Sequence, residues 1–253
     1  PLGSGHAIAT IDAKATLKIA GRLADGTTLT ATLAPDAIAG YRLFAQPYNR
    51  LGSYLAGWLD FEIHPTLATR VYLPAGATDL VWKKAPGPID KSYRSGFGPV
   101  ATSVTIDPWL IPTKTTTLAT LLELPTSGEF NVTHSGVVSA SQPNLPTRLR
   151  IDATGKIVIA APPLPNATQW TVKVDANTGA ITGSFTLTDQ VPAPTLTNLA
   201  AKKNVTRLVP FTGTVRQPHG TGGSPIGAGF LEIPALPTDA ANEVISGGIQ
   251  FTH

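Results

Sequence analysis

Apolar and polar residues alternate along much of this chain, which is the pattern of a β-strand with one buried face. The alternation is regular over 16–20, 27–33 and 54–63, and Asp25-Gly26 separates the first two of these segments. Asp-Gly is a common hairpin dipeptide, so we expect a type I′ turn between two antiparallel strands there. The apolar segment 118–124 fits either a strand or one short helix. The pattern as a whole predicts strands over 7–11, 16–20, 27–33, 41–48, 54–63, 80–83, 100–106, 149–151, 157–159, 170–174, 181–187, 205–215, 226–233 and 244–251.

The composition narrows the fold class. The chain has 253 residues, with 24 Gly, 23 Pro, no Cys and no Met, and its residues are 42% hydrophobic and 14% charged. The hydrophobic fraction argues against disorder, and the Pro and Gly spread through the chain argue against long helices. We therefore predict an all-β protein whose antiparallel meanders form barrel-like or sandwich units. The absence of Cys excludes disulfides, thiolate metal sites and thiol nucleophiles.

Two parts of the chain look like diverged copies of one unit. The matching segments are Ile11-Asp12-Ala13 with Val174-Asp175-Ala176, and 55–59 with 226–231. We expect two pseudo-repeats, a first β unit over 6–112 and a second over 113–253, or one continuous domain that contains both. Residues 1–5 are typical of the remnant of a protease-cleavage tag, which predicts that natural sequence upstream is missing.

Charge and the length of the apolar segments limit the partners. The net charge is +3, and the densest basic positions are the doublets Lys83-Lys84 and Lys202-Lys203. Nucleic-acid-binding proteins gather more basic residues than this on one face, so we expect no nucleic acid partner. No apolar segment approaches the roughly 20 residues of a membrane helix, so we expect no membrane insertion.

Residues suited to catalysis are few and scattered. The chain lacks a Gly-x-Ser-x-Gly motif, and its five His show no metal-ligand spacing. Asp60 and Glu62 lie two positions apart on one predicted strand, where a carboxylate pair could act as acid and base. A solvated outer face explains the pair more simply, and Asp175 and Asn177 fit a turn better than a calcium site. We therefore expect no catalytic residues, no metal, no cofactor and no enzyme activity.

Aromatic residues provide the candidate binding site. Four of them lie on neighbouring predicted strands, and one of the four shares a strand face with two carboxylates. Rings on a sheet face can stack on sugar rings while carboxylates bind the hydroxyl groups. The sequence also allows the opposite arrangement, in which these rings fill the core. The candidate ligand-binding residues are Tyr41, Tyr48, Tyr54, Trp58, Asp60 and Glu62.

Signature residues along nearly the whole chain resemble a known module. Gly, Asp-Gly and aromatic residues mark the resembling segments, which are Ile11–Thr27, Tyr41–Tyr48, Gly52–Leu59, Leu80–Lys84, Tyr93–Phe97, Pro210–Val215 and Gly227–Leu231. These segments resemble an uncharacterised β-rich module found near the C-termini of large exported bacterial surface proteins. The resemblance implies an extracellular or cell-surface location, and it carries no catalytic residues.

Together these observations predict a non-catalytic module of an exported bacterial surface protein, in adhesion, display or anchoring. Its partner is then a polysaccharide or another surface protein. The alternative is a carbohydrate-binding module that recognises polysaccharide through surface aromatics, and a third hypothesis is an enzyme that uses Asp60 and Glu62. Exposed aromatics in a stripe favour carbohydrate binding, and a deep pocket that joins the two carboxylates favours the enzyme.

Overall fold

The structure is a computed structural model, which describes residues 4–36, 40–67, 69–74, 79–134, 148–152, 154–160, 169–194, 197–217, 226–238 and 244–252. In chain order, its elements are β1 (His6–Ile11), β2 (Leu17–Arg22), β3 (Thr28–Leu33), β4 (Tyr41–Ala45), β5 (Tyr54–Leu59), β6 (Glu62–Ile63), β7 (Val71–Tyr72), β8 (Leu80–Lys84), β9 (Phe97–Thr102), α1 (Leu118–Leu121), β10 (Glu129–His134), β11 (Arg148–Ile151), β12 (Ile157–Ile159), β13 (Thr171–Val174), β14 (Ala180–Pro192), β15 (Lys202–Val215), β16 (Gly227–Ile233) and β17 (Ile245–Thr252). The strand pairs are antiparallel throughout the described residues. The predicted all-β fold of antiparallel meanders is confirmed.

The first part of the chain forms small sheets. β1, β2 and β3 make a three-stranded meander, a four-stranded sheet has the order β4-β5-β8-β9, and β6 pairs with β7. Alternation turns every second side chain inward, as in β2, where Leu17 and Ile19 are buried and Lys18 is exposed. The inward residues form the first core, which comprises Leu17, Ile19, Leu23, Ala24, Leu29, Tyr41, Leu43, Leu55, Leu59, Leu73, Leu80 and Trp82.

The second part of the chain forms an eight-stranded sheet in the order β12-β11-β10-β17-β16-β15-β14-β13. Its edge strands β12 and β13 come into contact, so the sheet curls into a nearly closed, barrel-like shape. Aliphatic side chains and several aromatic rings fill the interior. Trp170 stacks on Phe185 with 5.3 Å between ring centroids, and its centroid lies 5.0 Å from that of Phe211. Phe211 lies directly against Gly183, where no room remains for a side chain.

The two parts of the chain contact each other through side chains. The His6 ring of β1 stacks on Phe230 of β16, with 5.8 Å between the ring centroids. The Tyr93 hydroxyl, in the segment between β8 and β9, lies 2.6 Å from the Ser246 hydroxyl of β17. These contacts connect β1 and the segment between β8 and β9 to the barrel-like sheet. The predicted division into two β units, and their origin as an internal repeat, stay predictions.

The strand predicted over 54–63 is divided in the structure. β5 ends at Leu59, and the chain resumes a strand only at Glu62, where β6 begins. β6 pairs with β7 instead of extending the four-stranded sheet, so the chain changes direction between the two strands. The alternation of side chains in β5 therefore does not continue across this break into β6.

The hairpin turn between β2 and β3 differs from the predicted type. A type I′ turn needs positive φ at both central residues, but only Gly26 has it, at 81°. The Leu23 amide donates to the Thr27 carbonyl at 2.8 Å, and Asp25 Oδ1 accepts from the Thr27 amide at 3.0 Å. The turn is thus the longer form in which one Gly follows a type I turn, and it directs the Asp25 side chain inward.

The segment 118–124 contains a helix of one turn, α1. The Thr117 side chain caps it by accepting a hydrogen bond from the Thr120 amide. The sequence allowed a strand or one short helix in this segment, and the capped turn is the helix. β10 was not predicted, although Phe130 and Val132 are buried there in alternation with polar residues.

Candidate functional site

The pairing of β4 with β5 decides which of the predicted site residues lie together. Tyr41 pairs with Leu59, and Arg42 pairs with Trp58. Residues directly opposite in an antiparallel pair share a face, and successive residues alternate between faces. Tyr41 therefore lies on the inner face with Leu59, whereas Trp58 lies on the outer face with Arg42. The predicted group of aromatics is split between the two faces of one sheet.

Tyr41 belongs to the first core. It is 7% exposed, and its ring packs edge-on against Phe61 with 5.6 Å between the centroids. Its hydroxyl donates to the Ala15 carbonyl at 2.8 Å. Burial raises the pKa of Tyr41 above its ordinary value. Both the ring and the hydroxyl of Tyr41 thus contact other residues of the protein, and Tyr41 offers no surface to a ligand.

Tyr48 is half-buried, and its hydroxyl takes part in an internal hydrogen-bond chain. It donates to Asp25 Oδ2 at 2.7 Å and accepts from Trp82 Nε1 at 3.1 Å. The Lys84 ammonium lies 4.9 Å from the centre of its ring. Burial, and then the charge of Asp25, raise the pKa of Tyr48 far above its ordinary value, so its hydroxyl stays protonated as a donor.

The outward residues of β4 and β5 form a separate surface, which we call the outer aromatic face and which consists of Arg42, Phe44, Tyr54, Ala56 and Trp58. Phe44 is 65% exposed and Trp58 is 38% exposed. Phe44 pairs with Ala56, whose small side chain leaves the Phe44 ring open to solvent. The Arg42 guanidinium lies 4.6 Å from the centre of the Trp58 ring. Sequence reasoning missed Phe44, although alternation in β4 places it on the face opposite the buried Leu43.

Carboxylates border the outer aromatic face. Arg42 Nε lies 2.9 Å from Asp36 Oδ2. A Cβ placed on Gly40 would lie 3.7 Å from the Trp58 ring and 3.8 Å from Asp60 Oδ1, so the ring and this carboxylate both flank Gly40. Asp60 is exposed. Asp60 therefore lies near the Trp58 ring, although it follows the end of β5 instead of sharing a strand face with Trp58.

Glu62 has a different partner. It is exposed in β6, where its Oε2 accepts a hydrogen bond from the Tyr72 hydroxyl at 3.3 Å. Because β6 belongs to another sheet, the spacing of Asp60 and Glu62 no longer places them side by side on one regular strand. Glu62 is thus occupied within the β6–β7 ribbon.

A groove adjoins the outer aromatic face. It has a volume of about 510 Å³ and runs between β3 and β4, with Thr28, Thr30 and Thr32 on one wall and Phe44 and Gln46 on the other. The three Thr are exposed because they occupy the outward positions of β3. The groove therefore joins an aromatic ring to a row of hydroxyl groups.

A second cluster of functional groups, which we call the buried charge network, consists of Asp25, Arg50, Lys84 and Asp90. Lys84 Nζ lies 3.0 Å from Asp25 Oδ2 and 3.3 Å from Asp90 Oδ2, and the Lys84 and Asp25 side chains are 2% and 0% exposed. Arg50 binds both oxygens of Asp90, at 2.9 and 3.0 Å. The hydrogen bonds from Arg50 hold the pKa of Asp90 below its ordinary value.

The sequence contains one signal of this network. In β8 the residues Leu80, Trp82 and Lys84 share the inward positions, and all three are buried. Sequence analysis grouped Lys84 with Lys83 as a basic doublet and did not apply the alternation to it. Its acidic partners come from two other loops, and their approach depends on the tertiary fold.

In the part of the chain that the structure describes, no three His, Asp or Glu side chains gather as they would around a metal ion. Asp175 Oδ1 accepts a hydrogen bond from the Asn177 amide at 2.8 Å, which is the turn role expected from its sequence. No helix in this part of the chain has the length and apolar character needed to cross a membrane.

No family model, no curated protein and no solved structure matches the chain.

Proposed function

We propose that this chain is a non-catalytic module of an exported bacterial surface protein, and that it acts in adhesion, display or anchoring through its outer aromatic face. The observation that carries the proposal is the exposure of Phe44 and Trp58 on one sheet face. Large rings on a folded surface lose hydrophobic stabilisation unless a partner covers them, and such surfaces often serve in binding. The resemblance to modules of exported bacterial proteins supports the surface location.

The charges around these rings support a binding role over a catalytic one. Arg42 is paired with Asp36, and it also covers one side of the Trp58 ring. Asp60 borders the same ring, and Glu62 bonds to Tyr72 in another sheet. Charged groups at the rim of an apolar patch give a partner orientation and specificity, while the rings supply the buried area.

A polysaccharide is the second candidate, and the groove between β3 and β4 favours it. Phe44 offers a flat apolar surface, and the hydroxyls of Thr28, Thr30 and Thr32 lie across the groove. Sugar rings have apolar faces, which can pack on the Phe44 ring, and hydroxyl edges, which can form hydrogen bonds with the Thr hydroxyls. Trp58 can contribute only its free side, because Arg42 covers the other.

Adhesion of beads that carry the chain to bacterial surface polymers and to matrix proteins tests the first function. We expect retention on at least one surface, and we expect Trp58→Ala and Phe44→Ala to reduce it at least tenfold. Leu199→Ala is the matched control, because Leu199 is an 85% exposed apolar residue far along the chain, before β15. Equal retention of the Phe44, Trp58 and Leu199 variants contradicts the proposal.

A glycan array with the same variants separates the two candidates. Binding to a glycan that is lost in Phe44→Ala and kept in Leu199→Ala supports polysaccharide recognition. Retention on a protein surface without any glycan signal supports adhesion to another surface protein.

A further inference from the structure

The Lys84 ammonium is enclosed by oxygen atoms. Besides Asp25 Oδ2 and Asp90 Oδ2, at 3.0 and 3.3 Å, Nζ donates to the Ser92 carbonyl at 2.7 Å. Each of its hydrogens therefore has an acceptor. Aromatic rings cover this group, since the ring centres of Tyr48 and Tyr93 lie 4.9 and 5.9 Å from Nζ.

Asp25 is held in an equally defined position. Its Oδ1 accepts from the Thr27 amide at 3.0 Å, and its Oδ2 accepts from the Tyr48 hydroxyl at 2.7 Å as well as from Lys84. The Ser92 hydroxyl also donates to the Asp25 backbone carbonyl, at 3.2 Å. The two carboxylate oxygens thus have different environments, one facing a backbone amide and one facing the amine.

Burial of this ion pair has a cost in free energy. Removing an ammonium and a carboxylate from water costs more than their attraction recovers unless the geometry is excellent. Condensation of the two groups into an amide removes both charges at once. The charges left in the network are then Arg50 and Asp90, which already form a two-pronged pair.

We propose that Lys84 and Asp25 condense into an intramolecular isopeptide bond, which joins β8 covalently to the turn between β2 and β3. The bond forms between Nζ of Lys84 and Cγ of Asp25, and the bond from Cγ to Oδ2 breaks. The product is an amide and one molecule of water, so the reaction needs no oxidant, reductant or further reactant.

The protons balance within the cluster. One proton passes from the ammonium to Asp25 Oδ2, which leaves a neutral amine beside a carboxylic acid. The amine attacks Cγ, and the charge that develops on Oδ1 is stabilised by the Thr27 amide. A second proton leaves nitrogen through Asp90 Oδ2 and reaches Asp25 Oδ2, which departs as water. The remaining N–H continues to donate to the Ser92 carbonyl.

Asp90 is the proton carrier in this step, and Arg50 fixes its position. The hydrogen bonds from Arg50 keep Asp90 ionised, so its oxygen is able to receive a proton from Lys84 but is a weak base. We therefore expect a slow reaction that occurs once per molecule after folding. Tyr48 remains a hydrogen-bond donor to the leaving oxygen.

Intact-mass measurement of the folded, purified chain tests the proposal. We expect the wild-type mass to fall short of the sequence mass by one water, and a tryptic digest to contain a branched peptide that joins residues 25 and 84. Lys84→Arg should have its full sequence mass. Lys83→Arg, at the half-buried neighbouring position in the same strand, should keep the loss of water.

The Asp25-Gly26 dipeptide requires one further distinction, because such a pair can lose water by closing into a succinimide without any lysine. A succinimide gives a linear peptide, and its loss of water persists in Lys84→Arg. That outcome overturns the proposal, and so does a wild-type mass equal to the sequence mass. The peptide map of the wild type decides the question even where Lys84→Arg fails to fold.

Discussion

The Arg42 guanidinium stacks on Trp58 from the neighbouring strand, 4.6 Å from the centre of the ring. The two residues are direct cross-strand partners on the outer face of the sheet. Arg42 is held there by Asp36, whose carboxylate lies 2.9 Å from Nε. One side of the most exposed tryptophan in this sheet is therefore occupied by the protein itself, and removing the guanidinium frees that side.

Arg42→Ala should increase the access of solvent to Trp58 and lower the stability slightly. A cation over an exposed aromatic ring contributes about 0.5 to 1 kcal/mol, which is the expected loss in the free energy of unfolding. Quenching of tryptophan fluorescence by acrylamide measures the access, and urea unfolding measures the stability. Arg42→Lys is the control, because it keeps a cation at the site. Unchanged quenching in Arg42→Ala contradicts the stacked arrangement.

Lys84→Ala should strongly destabilise the chain. Whether Lys84 and Asp25 form an ion pair or the proposed amide in the wild type, the variant keeps a buried Asp25 carboxylate whose charge is uncompensated, and breaking a buried ion pair in this way costs about 3 to 5 kcal/mol. Asp25 is the group left without its cation, because Arg50 continues to neutralise Asp90. Urea denaturation measures the loss. Lys83→Ala, one residue earlier and outward-facing, should change the stability by no more than about 0.5 kcal/mol, as surface substitutions do. Similar losses for the two variants contradict the network.

His6 should make the stability depend on pH. Burial, and then the charge of Arg22, lower the pKa of His6 from 6.5 to about 4 in the folded state. Between these values the unfolded chain binds a proton that the folded chain does not, so stability falls as pH decreases from 6.5 to about 4. Above pH 6.5 the residue is neutral in both states and contributes no slope.

The difference between wild type and His6→Asn isolates this effect from the carboxylates that titrate in the same range. Thermal unfolding from pH 4 to 8 is the measurement. The wild type should lose more stability than His6→Asn on acidification, because only the wild type carries the half-buried imidazole stacked on Phe230. Parallel pH profiles for the two proteins contradict this prediction.

Gly183→Ala should destabilise the barrel-like sheet. A Cβ at Gly183 would collide with the Phe211 ring and with the Thr171 carbonyl, and the second of these cannot move without shifting β13. Overpacking of this kind costs about 1 to 3 kcal/mol. The control is Gly98→Ala in β9, where a Cβ meets nothing within 4 Å. Calorimetric midpoints of the two variants should therefore differ, and equal midpoints contradict the close contact.

The strands were the part of the fold that the sequence could predict, because apolar and polar residues alternate along them. This alternation located most strands, and it contains the information that Tyr41 and Trp58 lie on opposite faces once β4 and β5 are paired. It failed at Asp60, because β6 pairs with the next strand, β7, instead of continuing β5 in the four-stranded sheet. The alternation of apolar and polar residues over 54–63 does not record this change of pairing partner.

The buried charge network shows a different limit. Lys84 obeys the alternation, but a charged residue at an inward position is interpretable only when its partners are known. Asp25 reaches it from a hairpin turn and Asp90 from a loop, across 59 positions in the first case. Phe44 was missed for the simpler reason that an exposed phenylalanine resembles a core residue in sequence.

The position of β17 has a consequence for how the chain folds during synthesis. β17 lies between β10 and β16, so it is the strand that connects β10, β11 and β12 to the rest of the eight-stranded sheet. Before residues 245–252 leave the ribosome, β10 has an unpaired edge more than a hundred positions from its partner. Such distant pairing is slow, so the sheet closes only after residues 245–252 have emerged, in about milliseconds to seconds. The eight-stranded sheet is therefore open to chaperones and proteases until β17 is inserted.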